Sequence, residues 1–257
     1  MRALAAISLP VLAVLALAAS SQPAPTFSDN FSTGKLDTAK WSVATYKSPD
    51  SKPGVNLGMY VPEAIDLSQG MLRIAVVQVP GPDGVVSKGG AIISKERFGF
   101  GRYEFVMRMT STSATANAVG TVRSGAVSSG FVYFNNSESE IDIEFVGDKN
   151  SVWMSNWLNP VPSTPPSLDM KSSDEVRQSN LSDGFHTYTL TWSPKTVQWF
   201  IDGALVATHS QHVCSTPAYI IIQHRGTNSE KWGGKATLGV TRYMYVKSVS
   251  FTAASTK

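Results

Sequence analysis

The chain has 257 residues, 42% hydrophobic and 16% charged, with a formal net charge of +3. That length carries a sizeable core, and the absence of a basic run or an Arg-rich helix pattern excludes nucleic acid as a partner. A lone cysteine, Cys214, excludes an intrachain disulfide, so the core must supply stability and Cys214 reads as a small buried hydrophobe.

In chain order, Met1-Arg2 gives a short positive start, followed by an apolar run broken by Ser8 and Pro10. Small residues Ala16, Ala18 and Ala19 offer a cleavage site, so 1–19 is expected to be a secretory signal peptide. The alternative, a membrane anchor, needs a longer uninterrupted run than about 17 residues. The mature chain, 20–257, is expected to be one exported domain, monomeric and free of the membrane.

Strands then follow one another, separated by turn residues. "MLRIAVVQV" (71–79) meets a turn at Pro80–Gly84, and "AIISKERF" (91–98) runs through Gly99 and Gly101 into "RYEFVMRM" (102–109). Next come "SGFVYFN" (129–135), an acidic stretch from 137, and "SVWMSNWL" (151–158). The segment 159–184, with four prolines, reads as a surface loop. Over 185–209 three strands are joined at Ser193-Pro194 and at Asp202-Gly203, a preferred hairpin turn. "YIIIQ" (219–223) and "YMYVKSVSF" (243–251) complete the set. Nothing after residue 19 has helical periodicity with caps. The pattern predicts an all-β, two-sheet antiparallel sandwich of jelly-roll type whose curved sheet has a concave face.

The acidic strand "SESEIDIEF" (137–145) carries the chemistry. Side chains alternate along a strand, so Glu140, Asp142 and Glu144 share one face and Ile141, Ile143 and Phe145 the other. Two carboxylates, one protonated and one ionised, are the usual means of cutting a glycosidic bond. Positions i and i+4 of an ideal strand lie about 13 Å apart, so Glu140 and Glu144 can cooperate only across a concave sheet. Three acids this close cannot all ionise at their ordinary pKa. A solvated outer face and a calcium site are the plainer alternatives. Phe131 and Tyr133 on the preceding strand and Asn156 and Trp157 on the following one favour a sugar groove, since sugar rings stack on aromatic faces. The four histidines show no catalytic pairing, and no Cys/His set has metal-ligand spacing, so no cofactor or metal is expected.

"EIDIEF" resembles the Glu-x-Asp-x-Glu signature of glycoside hydrolase family 16. "GGAIISKERFGFGRYEFVMRM", "SGFVYF" and "GFHTYTLTWSPKTVQWFIDGALV" resemble the family's neighbouring strands. The resemblance implies a concanavalin A-like jelly roll with a polysaccharide groove and retention of configuration. By position in the motif, Glu140 would be the nucleophile, Asp142 its partner and Glu144 the general acid/base. The chain departs from lichenase-like members at Glu138 and Ser139, at Ala91 and Ile93, and at Gln223-His224-Arg225. Lys247 stands where many members place a calcium-binding Asp.

The regular spacing 140, 142, 144 resembles the lichenase, xyloglucan-transferase and fungal crosslinking branches rather than the β-1,3-glucanases. The expected function is therefore a secreted endo-β-glucanase acting on β-1,4-containing, mixed-linkage glucan. Phe131, Tyr133 and Trp157 would stack on sugars, and Asn156 and Gln223 would bond hydroxyls. Arg225 would pair with an anionic group on the polymer or form an ordinary surface ion pair. A transglycosylase at the same site and a non-catalytic sugar-binding module are the rival readings.

Overall fold

The computed structural model describes residues 26–149, 151–178 and 181–255; the expected signal segment lies outside the described residues. Short strands β1 (Phe27–Asp29), β2 (Trp41–Val43), β3 (Asn56–Tyr60) and β4 (Ile65–Asp66) precede the long pair β5 (Leu72–Gly81) and β6 (Gly84–Phe98). The chain continues through β7 (Gly101–Ser111), β8 (Ala126–Phe134), β9 (Ser139–Val146), β10 (Ser151–Trp157) and β11 (Lys171–Arg177). It ends with β12 (His186–Trp192), β13 (Val197–Ile201), β14 (Ala204–His209), β15 (Ala218–Gly226) and β16 (Arg242–Ala253). The helical content of the described residues is two single 3₁₀ turns, Pro62–Ala64 and Leu168–Met170.

Two layers result. One runs in the order β11-β10-β9-β8-β15-β6, with β2 also on β6. The other runs β5-β16-β7-β12-β13-β14, with β1 on β16 and β4 on β5. The layers join where the far half of β5 pairs with the near half of β6, Val77–Gly81 against Gly84–Lys88. This is the expected all-β jelly roll, with the first layer curved.

The alternation read from the sequence is what fills the space between the layers. Ile141, Ile143 and Phe145 of β9 are fully buried there, with Val132, Ile220, Ile222 and Met154 from its own sheet and Phe105, Met107, Leu190 and Trp199 from the other. Gly130 of β8 faces this core, where an added Cβ would stand 2.9 Å from the ring of Phe105. The sheets approach that closely only without a side chain there. Trp199 of β13 crosses the core and donates its indole N–H to the carbonyl of Asp142 at 3.0 Å, tying the far sheet to the back of the acidic strand.

Three expectations change. The loop expected over 159–184 contains β11, which pairs with β10 at all seven residues. Its sequence, "KSSDEVR", has no apolar alternation because it is an edge strand, where polar side chains suit the exposed border. β6 begins at Gly84, seven residues before the expected start, because its first half leaves the sandwich to pair with β5 and β3. β1 to β4 are too short for periodicity to reveal.

Candidate active site

Antiparallel register decides which side chains meet on the outer, concave face of the first sheet. Glu140, Asp142 and Glu144 on β9 stand opposite Tyr133, Phe131 and Ser129 of β8. On the other flank they stand opposite Trp157, Ser155 and Trp153 of β10. One strand further, Gln223 and Ile221 of β15 stand opposite Ser129 and Phe131, and then opposite Ala91 and Ile93 of β6. The three acids thus lie on the floor of a groove of about 560 Å³, with Tyr46, Asp50 and Tyr60 on one wall and Leu168, Lys171 and Trp232 on the other.

The acids are supported individually. Glu140 accepts a hydrogen bond from the hydroxyl of Ser137. Asp142 is almost fully buried and accepts from the indole N–H of Trp157 at 3.2 Å. Glu144 accepts from Ser129 Oγ and from Arg225 Nη1, both at 3.3 Å. Arg225 in turn donates through Nε to Asp50 at 2.5 Å. Tyr60 donates its hydroxyl to the amide oxygen of Gln223, whose Nε2 donates to Ser129 at 3.2 Å. A continuous polar chain therefore runs from Tyr60 through Gln223, Ser129, Glu144 and Arg225 to Asp50.

Crowding shifts the titrations. Burial pushes Glu140 up to about 7; the Ser137 hydrogen bond opposes this and the Glu144 charge adds to it. Burial and the charges of Glu140 and Glu144 hold Asp142 well above the ordinary carboxylate range. That crowding favours the protonated form of Asp142. Burial works against charge on Arg225, but Asp50 and Glu144 outweigh it and raise its pKa.

Of the residues singled out from sequence, Phe131, Tyr133, Trp157, Gln223 and Arg225 line this groove together with the three acids. Asn156 does not. It pairs with Ile141 and so faces the opposite side of the sheet. Its amide is fully buried, donating to the carbonyls of Gln211 and His212 at 2.9 and 2.7 Å and facing His209 Nδ1 at 2.6 Å through Oδ1. The adjacent pair Asn156-Trp157 cannot both enter a groove from one strand. Arg225 is neither a surface ion pair nor a free guanidinium. It is 6% exposed and already engaged by two carboxylates. His224, between two groove residues, points into the core beside Ser128 and Thr110, where burial and Arg242 lower its pKa to about 3 and keep it neutral.

Sequence reasoning missed Ser137, Ser129, Tyr46, Asp50, Tyr60, Lys171 and Trp232. Ser129 was reachable, two residues before Phe131 on the same face. The others come from turns, an edge strand and loops, where no period marks a side chain's direction. Lys171 places its ammonium 4.8 Å from the Trp157 ring and 5.5 Å from the Trp232 ring, and Trp232 packs on Trp153 at 5.6 Å. Gly233 and Gly234, at φ 78° and 79°, allow that loop to turn back onto Thr227, whose hydroxyl an added Cβ on Gly233 would meet at 2.3 Å.

The model of glycosyl hydrolases family 16 matches residues 38–239. The chain belongs to this family. Among curated proteins, a β-glucanase of Paenibacillus polymyxa is 30% identical over 151 residues, covering 56% of each protein. The chain spans just over half the length of the curated relatives it matches. Among solved structures, a β-glucanase of Bacillus licheniformis superposes with a TM-score of 0.72 at 22% identity, covering 91% of this chain and all of that one. A laminarinase catalytic domain of Thermotoga maritima gives 0.70 at 16% identity, covering 91% and 99%. At these identities the superpositions speak for the shared family 16 fold, and not for one linkage over another.

Proposed function

We propose that this family 16 chain is a retaining endo-β-glucanase that cuts β-1,4-containing, mixed-linkage glucan by double displacement. The observation that carries the reading is the unbroken register of β9 with both neighbours, which sets Glu140, Asp142 and Glu144 in a regular row on the groove floor. Glu140 attacks the anomeric carbon while Glu144 protonates the departing oxygen; Glu144 then takes a proton from water as it displaces Glu140. Asp142, whose protonated form is favoured by burial and by both glutamate charges, donates a hydrogen bond to Glu140 in that form. Tyr133, Phe131 and Trp157 offer rings beside the acids. The mature chain, 20–257, would act outside the cell as a monomer, without a cofactor, on a polysaccharide.

Lichenan, laminarin, xyloglucan, chitin oligomers, agarose and carrageenan, assayed by product mass with and without labelled acceptors, test the reading. Cleavage of lichenan but not laminarin is expected, with Glu140→Ala and Glu144→Ala inactive though folded. Azide should restore turnover of Glu140→Ala and give a glycosyl azide of inverted configuration. Activity confined to laminarin or to a sulfated galactan would sink the substrate assignment. The wall bearing Lys171 and Trp232, the latter packed on Trp153, favours a second reading, transfer to a sugar acceptor, which predominantly transferred products would establish.

A further inference from the structure

Between β8 and β9 the chain reverses over Asn135–Glu138, and three consecutive residues there, Asn135, Asn136 and Ser137, have φ of 47°, 54° and 63°. None is glycine. Left-handed backbone is unfavourable for residues with a Cβ and normally occurs singly. Such conformations persist where the surroundings over-determine them, and they cluster at functional sites. A connection needed only to reverse the chain has cheaper solutions in Asn-Gly or Asp-Gly turns.

The surroundings here are specific. Asn136 Nδ2 donates to the carbonyls of Pro162 and Thr164 at 2.9 and 2.7 Å. Asn159, fully buried, donates its backbone N–H to Ser137 O at 2.8 Å and its amide to Asn136 O at 2.9 Å and Thr164 O at 3.0 Å. Asn135 Nδ2 donates to Glu138 at 2.7 Å, and Thr216 Oγ1 donates to the other oxygen of that carboxylate at 2.8 Å. All of this fixes one side chain beside the groove. Ser137 is 5% exposed and its hydroxyl donates to Oε2 of Glu140.

We infer that Ser137 is a positioning residue for the nucleophile: the left-handed turn over 135–137, locked by Asn136 and Asn159, aims its hydroxyl at Glu140 Oε2 and leaves Oε1 as the attacking atom. The inference rests on the reading of Glu140 as nucleophile. With Oε2 held, rotation of the carboxylate is restricted. An electron pair on Oε1 forms the bond to the anomeric carbon, the glycosidic C–O bond breaks, and the leaving oxygen takes the proton of Glu144. In the second step water gives a proton to Glu144, and its oxygen displaces Oε1. Ser137 keeps its own proton throughout, stabilising the carboxylate before attack and on release.

The test compares Ser137→Gly and Ser137→Ala with the native chain. Glycine adopts the left-handed turn without the Cβ cost, so Ser137→Gly should keep or raise the thermal midpoint while lacking the hydroxyl. Both variants should lose about 10- to 100-fold in kcat, the range for one hydrogen bond to a charged group, with KM nearly unchanged. Independently of activity, the side-chain carboxyl of Glu140, followed by ¹³C NMR and assigned with Glu140→Gln, should titrate at higher pH in both variants. The charged and titratable groups facing Glu140 remain in place: Asp142 and Glu144 on β9, Tyr133 on β8 and Lys171 on β11. A Ser137→Gly protein with native kcat, or with an unmoved Glu140 titration, would overturn the assignment. A native chain that turns over no glucan would remove the hydrolase reading and leave the titration to decide Ser137.

Discussion

Glu140 meets opposing demands. A nucleophile must be ionised, yet burial and the Glu144 charge push it up to about 7 from an ordinary 4.5, with the Ser137 hydroxyl pulling the other way. The acidic limb of kcat/KM should therefore bend near pH 7, as an apparent property of the coupled Glu140–Asp142 pair. A limb near pH 4 would show that the site ionises far more easily than its burial implies. The same shift affects stability. A carboxyl that binds protons more tightly folded than unfolded costs stability as pH rises from about 4 towards 7, and the loss persists above. Glu140→Gln removes that cost. Its thermal midpoint should match the native chain at pH 4 and exceed it at pH 8 by a few degrees, on the order of 1–3 kcal/mol. An identical difference at both pH values would contradict this.

Arg225 shows a different economy at the same scale. Its guanidinium is buried and held by Asp50 and Glu144, so Arg225→Met would leave two carboxylates without their cation. Activity should fall at least tenfold, because Glu144 loses the group that fixes its orientation. A sulfated or carboxylated glucan should gain no advantage over a neutral one with the native chain, since both carboxylate partners already occupy this cation. Measured preference for the anionic polymer, lost in Arg225→Met, would reverse that reading.

At the level of strands, the close approach of the sheets at Gly130 is a sharp constraint. Gly130→Ala places a Cβ 2.9 Å from Phe105 and 3.1 Å from Met107, and overpacking of this kind costs about 1–3 kcal/mol. A drop of roughly 2–10 °C in thermal midpoint should follow, while an unchanged midpoint would mean the core gives way there. The strands whose side chains alternate, β5, β7, β9, β12, β13 and β16, were legible because period two is written in their residue types. So was the placement of the three acids on one face. The edge strand β11 was not legible, since backbone pairing with β10 determines it while its mostly polar, part-buried side chains show no apolar alternation. The same reasoning explains Asn156. Residue type marked it as a sugar ligand, but parity relative to Ile141 sends it to the interior, and parity follows from a register no isolated residue reveals. Ser137 and Asp50 belong to turns, where tertiary hydrogen bonds and not sequence period choose the direction.

Taken whole, the chain is held by long-range pairing between strands. β1 pairs with β16, and β6 takes partners as separated in sequence as β2 and β15. Cys214 is buried, and burial raises its thiol to about 11, so it is inert at neutral pH. Thermal unfolding should be insensitive to dithiothreitol, and a midpoint lowered by reductant would point to a covalent link this sequence does not allow within one chain. Circular dichroism should show β-structure with negligible helix.

The indole of Trp199, bonded to the carbonyl of Asp142 from the opposite sheet, has a consequence for motion. With β8 and β10 paired on its flanks and Trp199 fastened behind, β9 has no direction in which to yield. Adaptation to a polymer must then come from the walls: the Tyr46–Tyr60 stretch on one side and the loop bearing Trp232 on the other. Amide hydrogen exchange should divide accordingly. Residues 140–145 should exchange only through global unfolding, while both walls open locally and slow down when an oligosaccharide is bound. The floor of the groove would behave as a rigid anvil between two compliant jaws.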